Sequence, residues 1–166
     1  MSATITVGRK SEINVLQTFS DGVSGNETVL FNGGMNIDTS YTSATSVPVT
    51  KFAEFEKTMS GGAGTIDLTA LPGITADETV VGTGLKLQLL RIRNKSTNAN
   101  AITVTKGASN GYGLNAAGAS WTVVLDPGQA ATFELNETAP NVAAGAKDID
   151  ISGTGSQILE VQIVLG

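Results

Sequence analysis

The chain of 166 residues contains no cysteine and no histidine. These two residue types supply most nucleophile–base pairs and most transition-metal ligands in proteins, so the composition disfavours both kinds of site. Aromatic residues make up 5% of the chain and charged residues 15%. The charged share is well below the usual value of about a quarter. This composition indicates a protein that works through packing and association rather than through catalysis.

The chain also lacks long apolar runs and a surplus of basic residues. No apolar run approaches the roughly 20 residues of a membrane span, and the segment Met1–Val7 lacks the charged start of a signal peptide. The net charge is −5, whereas phosphate binding draws its affinity from lysine and arginine. We therefore expect no nucleic-acid partner, no membrane partner and synthesis inside the cell.

What the chain does contain is a rhythm of short strands. A chain of roughly 150 residues can bury about 68–70% of its unfolded surface, so a core without disulfides or metals is feasible. Segments of alternating polarity, separated by turn residues, predict an all-β fold: a jelly-roll-like antiparallel β-sandwich. The predicted strands are residues 47–57, 65–69, 85–93, 101–105, 120–125, 131–135, 148–151 and 159–165.

The first 45 residues differ from the rest of the chain. Their apolar residues come in small groups between turn-forming stretches, without the regular spacing of the later strands. We therefore predict two parts: an extended N-terminal arm or short edge strands over residues 1–45, and a β-sandwich domain over residues 46–166.

Several local features refine this prediction. Segment 47–57 fits a strand, although Phe52, Phe55 and Met59 would also share one helical face. The alternation of segment 85–93 changes phase at Leu90, which indicates a β-bulge or a strand covered on both faces. The turns at residues 60–64, 94–100 and 126–128 each predict a hairpin between their flanking strands.

The charges are unevenly distributed along the chain. Residues 86–106 include no acid, whereas the chain from Asp126 onward has six acids and one lysine. If the two regions lie on different faces, the domain has a basic and an acidic side, which suits contacts between subunits. Phosphate binding is a competing role, and a plain solvated face explains the pattern equally well. The basic residues are Lys86, Arg91, Arg93, Lys95 and Lys106.

Two acidic residues lie two positions apart in one predicted strand. Asp148 and Asp150 therefore share a face, where Asp126 or Glu160 could join them. Such oxygen ligands can hold calcium, and paired carboxylates can cleave glycosides. Any half-solvated strand shows the same alternation. We favour this simpler explanation.

The glycine-rich segment Gly107–Gly113 superficially resembles a phosphate loop, but neither a lysine nor a helical pattern follows it. We predict a connection between strands, with Tyr112 exposed or capping the edge of the sandwich. Trp121 alternates with Val123 and Leu125, and this spacing predicts a core position rather than a platform for sugars.

The region from Leu85 to Gly166 contains five segments in a characteristic order: residues 87–94, 102–104, 107–112, 125–128 and 149–155. In this order the region resembles the small head proteins of tailed bacteriophages, the cement or decoration proteins on the outer face of the capsid. The resemblance implies a jelly-roll or β-sandwich subunit, often trimeric, that is bound where capsomers meet and has no catalytic residues.

On this resemblance we expect a structural virion protein that cements neighbouring capsomers, made in the host bacterial cytoplasm and located on the capsid surface. Its partners would be the phage major capsid protein and further copies of itself, in a trimer. We expect no enzymatic activity, cofactor or metal. The alternative is a carbohydrate- or receptor-binding module of a phage particle. The predicted partner-binding residues are Ile5, Val7, Ile13, Val15, Leu16 and Phe19 in the arm, with Arg91 and Arg93 in the domain.

Overall fold

The fold is seen in a computed structural model that describes residues 7–11, 14–20, 26–32, 37–42, 44–46, 48–73, 78–134 and 138–166. These residues form strands, turns and loops without any helix, and every ladder between strands is antiparallel. The protein is therefore all-β, as predicted, and segment 47–57 contains a strand rather than a helix.

Eight strands form the body of the protein, and they correspond to the eight predicted segments. The strands are β5 (Lys51–Thr58), β6 (Ala63–Asp67), β9 (Leu87–Asn94), β10 (Ile102–Lys106), β11 (Thr122–Leu125), β12 (Ala130–Glu134), β13 (Asp148–Ser152) and β14 (Ile158–Leu165). They make two four-stranded sheets: sheet 1 has the order β5-β14-β9-β12 and sheet 2 the order β6-β13-β10-β11.

The pairing of these eight strands is nested. The first strand, β5, pairs with the last, β14, and β6 pairs with β13. Inside these pairs β9 pairs with β12, and the two middle strands β10 and β11 pair with each other. A nested antiparallel ribbon that is divided between two sheets is a jelly roll. The predicted architecture is thus present.

The predicted hairpins are wrong. The turns at residues 60–64, 94–100 and 126–128 each join a strand of one sheet to a strand of the other. The turn chemistry itself is present, because the N–H of Gln129 donates to the carbonyl of Asp126 at 2.9 Å and Gly128 has φ of 85°. A turn signal reverses the chain, but it does not specify which sheet the next strand joins.

Asn94, at the end of β9, holds together two of the connections that run between sheet 1 and sheet 2. Its side chain is fully buried and its amide nitrogen donates to the carbonyls of Leu125 at 2.8 Å and Asn100 at 3.0 Å. Its amide oxygen accepts from Asn98 at 2.6 Å. The N–H of Asn94 also donates to the carbonyl of Gln129 at 3.0 Å. One asparagine therefore links the β9–β10 and β11–β12 connections.

The phase change in segment 85–93 is a β-bulge, the first of the two predicted alternatives. Along the ladder between β9 and β14, Leu165 faces Leu87 whereas Val164 faces Leu89, so Gln88 is the extra residue. The bulge lets both Leu87 and Leu90, three positions apart, point into the core, where neither is exposed.

The N-terminal strands pair among themselves. β1 (Val7–Ser11) pairs with β4 (Ile37–Tyr41), and β2 (Asn14–Ser20) pairs with β3 (Asn26–Asn32). These strands form two separate two-stranded ladders and join neither sheet 1 nor sheet 2. The strand content predicted for residues 1–45 is therefore present. Between β6 and β9 a further short ladder joins β7 (Leu71–Pro72) and β8 (Thr79–Val80).

Candidate interaction surface on sheet 1

Two predicted partner-binding residues, Arg91 and Arg93, lie on the outer face of sheet 1. They alternate along β9 with Leu90 and Ile92, whose side chains have no exposed surface. The strand pattern turns the arginines outward because successive side chains of a strand point to opposite faces.

The first row of this face runs across three strands. Arg91 of β9 is level with Gln162 of β14, which in turn is level with Glu54 of β5. The guanidinium of Arg91 donates to Gln162 Oε1 at 3.2 Å, and Gln162 Nε2 donates to Glu54 Oε1 at 3.2 Å. A neutral amide therefore lies between a positive and a negative side chain.

The second row is fully charged. Arg93 forms an ion pair with Glu160 at 3.3 Å, and the next residue across the sheet is Glu56. The carboxylate of Glu56 pairs with Lys95 at 2.5 Å. These side chains are 28–51% exposed, so each pair contributes at most about 1 kcal/mol to folding.

Together the rows make a surface with a fixed order of charge, which we call the ladder face: Glu54, Glu56, Arg91, Arg93, Glu160 and Gln162. Its basic side chains stand on β9. The acidic pair on β5 lies two strand spacings away, about 9.5 Å. A shallow groove of about 320 Å³ runs between these side chains.

The ladder face corrects the prediction of separate basic and acidic sides. Glu160 belongs to the acidic last third of the sequence, yet it is paired with Arg93 on one face. The cause is the long-range pairing of β14 with β9, which the local charge pattern does not reveal. Lys106 lies in the other sheet, where its ammonium donates to the carbonyl of Gly118.

The paired acids of β13 share one side of sheet 2, as predicted, while Ile149 and Ile151 are buried. Neither Asp126 nor Glu160 is part of their strand, and Glu160 lies in sheet 1. Asp150 is held by the hydroxyl of Thr65 and the N–H of Ala108, both at 2.9 Å. Within the described ranges, no group of three or more acidic side chains could hold a metal ion.

A third carboxylate, Asp67, lies opposite Asp148 in the ladder between β6 and β13. Lys147 pairs with Asp67 at 2.5 Å and approaches Asp148 to 3.7 Å. Partial burial raises the pKa of Asp67, but hydrogen bonds from Lys147 and Thr69 outweigh it, so the net pKa is lowered. Asp67 and Lys147 are 80 residues apart in the sequence, so no local pattern predicted this ion pair.

Replacing Asp67 by asparagine should lower the melting temperature slightly at neutral pH and have no effect in acid. The folded pKa lies below the ordinary value of 3.8, so the contribution is present above pH 3.8 and is lost as pH falls through the folded pKa. Thermal melts over this range check it, with the exposed Glu78→Gln as the control. Curves that stay equally far apart at every pH would contradict the assignment.

The prediction that Tyr112 is exposed or caps the edge is wrong, because its side chain has no exposed surface. Its hydroxyl accepts from the N–H of Leu87 at 3.0 Å and donates to the carbonyl of Pro140 at 2.6 Å. The glycine-rich loop carries it inward: a Cβ at Gly111 would meet the carbonyl oxygen of Gly107, so only glycine allows this close return.

Trp121 packs against the core, as predicted. Its ring lies 5.7 Å from that of Phe133, between the edge strands of the two sheets, and its indole N–H donates to the carbonyl of Tyr112 at 2.9 Å. These aromatic rings therefore close one side of the sandwich.

The arm residues of the prediction fall in two groups. Val7 lies in β1, and Val15, Leu16 and Phe19 lie in β2. Ile5 and Ile13 lie outside the described residues. The structure thus places four of these six positions in paired strands, and their role in binding stays a prediction.

No family model, curated protein or solved structure matches this chain. Across the described residues, no helix has the length and apolar character that crossing a bilayer requires.

Proposed function

We propose that this chain is a structural virion protein that binds the outer surface of a phage capsid and holds neighbouring capsomers together. The observation that carries the proposal is a jelly-roll body joined to an N-terminal part whose strands pair only with one another. The resemblance of residues 85–166 to capsid cement proteins implies such a body, and the expected arm fits the N-terminal strands.

The N-terminal ladders are expected to gain stability from contact with a second surface. A two-stranded ladder in water is marginally stable by itself, and it gains stability by packing against another surface. The β2–β3 ladder pairs seven residues of each strand. On a capsid, a neighbouring subunit can supply such a surface, and the arm adds contact area beyond that of the compact body.

The mechanism is thermodynamic. A protein that binds only the assembled and expanded lattice stabilises that lattice by mass action, and a bound arm and body together raise the effective affinity. No chemical step on a substrate is involved. The alternative is a carbohydrate- or receptor-binding module. Tyr112 is buried and Trp121 packs against the core, so neither residue offers such a module an exposed aromatic ring.

Co-sedimentation with expanded capsids of the phage that encodes the chain tests the proposal. We expect the wild type to pellet with capsids to a saturating level. Leu16→Asp or Phe19→Asp should weaken this binding at least tenfold, on the order of 1.4 kcal/mol, because each charge enters a predicted anchor of β2. Thr122→Asp adds the same charge at an exposed position of β11, outside the arm; it is the matched control and should bind like the wild type.

Two results would count against the proposal in different ways. A wild-type protein that stays in the supernatant would overturn capsid binding itself. Binding that is unchanged in Leu16→Asp and Phe19→Asp would leave capsid binding standing and would remove the arm from the interface.

A further inference from the structure

Two charged side chains of the ladder face, Arg91 and Glu54, have a neutral hydrogen-bond partner on this face. Arg91 and Glu54 both bond to the neutral amide of Gln162, at 3.2 Å on either side. In the next row, by contrast, Arg93 and Glu56 each have an oppositely charged partner, Glu160 and Lys95. Arg91 and Glu54 are both exposed. The surface of another molecule with the reverse order of charge would give both residues an oppositely charged partner.

We infer that this surface is a second copy of the same chain, packed face to face about a two-fold axis that runs along β14 at Gln162. Such a rotation keeps each row level and exchanges the two sides of the face. The Arg91 side chain of one copy then lies over Glu54 of the other, and the reverse pair forms at the same time. A two-fold interface is self-complementary in this sense.

The second row supports the same axis. Because Arg93 and Glu56 stand level on β9 and β5, the rotation also sets Arg93 of one copy over Glu56 of the other, twice by symmetry. On the axis Glu160 meets Glu160 of the other copy, and each of these carboxylates keeps its own ion pair with Arg93. A two-fold axis across the strands would instead set the basic column over itself, and like charges repel. The order of charge therefore selects one orientation, in which the two copies of sheet 1 pack with their strands aligned.

This inference goes beyond the proposed function, which concerns attachment to the capsid and names no surface for self-association. The assay needs no capsid, so failure to bind capsids and failure to self-associate are separate results. The ladder face alone makes a dimer, whereas the family resemblance implies a trimer.

Charge exchange tests the inference. Arg91→Glu and Glu54→Arg each make the face repel its own copy, so each variant alone should associate at least tenfold more weakly than the wild type in sedimentation equilibrium at low salt. An equal mixture of the two variants should associate again, because one now carries the negative face and the other the positive face. The double variant Arg91→Glu/Glu54→Arg should also associate.

The matched controls change charge equally but away from the ladder face. Lys51→Glu loses two units of charge, as Arg91→Glu does, and Asp126→Lys gains two, as Glu54→Arg does. Both controls should associate like the wild type. Circular dichroism and melting curves establish that each variant is folded before it is compared.

A second measurement avoids charge changes altogether. The chain has no cysteine, so Gln162→Cys introduces a single thiol on the proposed axis. Stacked sheets lie about 10 Å apart, and a short bis-maleimide should therefore link two copies of this variant. Thr122→Cys, exposed on sheet 2, should not be linked.

Three results would overturn the inference. One is a wild type that is monomeric at its highest soluble concentration at low salt. Another is an oligomer, the implied trimer included, whose formation ignores both Arg91→Glu and Glu54→Arg. The third is equal linking of Gln162→Cys and Thr122→Cys.

Discussion

Replacing Asn94 by aspartate should destabilise the protein more than any other change of similar size. The side chain is fully buried, and its amide nitrogen donates to two carbonyls, those of Leu125 and Asn100. Aspartate replaces this donor by a charged oxygen that faces both carbonyls. We expect a loss of more than about 4 kcal/mol, the range typical of an unpaired buried charge.

Asn94→Ala separates the lost hydrogen bonds from the added charge. It removes the Asn94 donor from the carbonyl of Leu125 and leaves the carbonyl of Asn100 with Gln157 alone, which should cost about 1–3 kcal/mol. Urea unfolding measures both variants, and the gap between them should narrow as pH falls, since protonation removes the charge. Asn115→Asp is the control, because its exposed oxygen still accepts from the N–H of Ala119. Equal losses in Asn94→Asp and Asn94→Ala would contradict this account.

Replacing Tyr112 by phenylalanine should cost about 2–3 kcal/mol although the ring is retained. The missing hydroxyl leaves the N–H of Leu87 and the carbonyl of Pro140 unpaired in the interior. These two groups belong to different parts of the chain, so the substitution weakens the contact between β9 and the loop before β13.

The difference in stability between the wild type and Tyr112→Phe should become smaller at alkaline pH. Burial raises the pKa of Tyr112 above its ordinary 10.0, against a smaller opposite effect of the N–H of Leu87. The neutral tyrosine therefore contributes stability below pH 10, and this contribution is lost as pH rises through the folded pKa. The wild type and Tyr112→Phe should converge in stability above pH 10.

Denaturant unfolding at neutral and alkaline pH measures the effect of Tyr112→Phe. Thr122→Val, which removes an exposed hydroxyl from an edge strand, is the control and should change stability little at either pH. A neutral-pH loss no larger than that of Thr122→Val would show that the Tyr112 hydroxyl does not join the two segments.

The strands themselves were readable from the sequence because their signal is local. Leu159, Val161 and Ile163 alternate with polar residues, and the structure buries all three. The break in alternation between Leu87 and Leu90 likewise predicted the bulge. Each of these inferences needs only a few neighbouring residues and the period of a strand.

The pairing of the strands was not readable because it is non-local. β5 pairs with β14, which lies 100 residues or more away along the chain, while the turns near β5, β9 and β11 suggested local hairpins. The ladder face follows from the same pairing: Glu54, Gln162 and Arg91 become one row only when three distant strands lie side by side. Tyr112 was misplaced for a related reason, since the loop around it folds back onto β13.

The proposed function and the inferred dimer use different surfaces of the molecule. The dimer uses the outer face of sheet 1, whereas capsid binding is proposed for the N-terminal strands. A protein that used both would join two anchored copies through the ladder face and so link neighbouring attachment points. Variants of Arg91 and Glu54 should then weaken capsid stabilisation without abolishing attachment.

The most direct test of the central claim is the melting temperature of the capsid itself. If the chain is the proposed virion protein, expanded capsids of its phage can be heated in a calorimeter with increasing amounts of the protein. If the protein binds only the assembled lattice and clamps it, the capsid transition should move steadily upward with the logarithm of the free protein concentration. A capsid transition that stays in place at every concentration would contradict the claim.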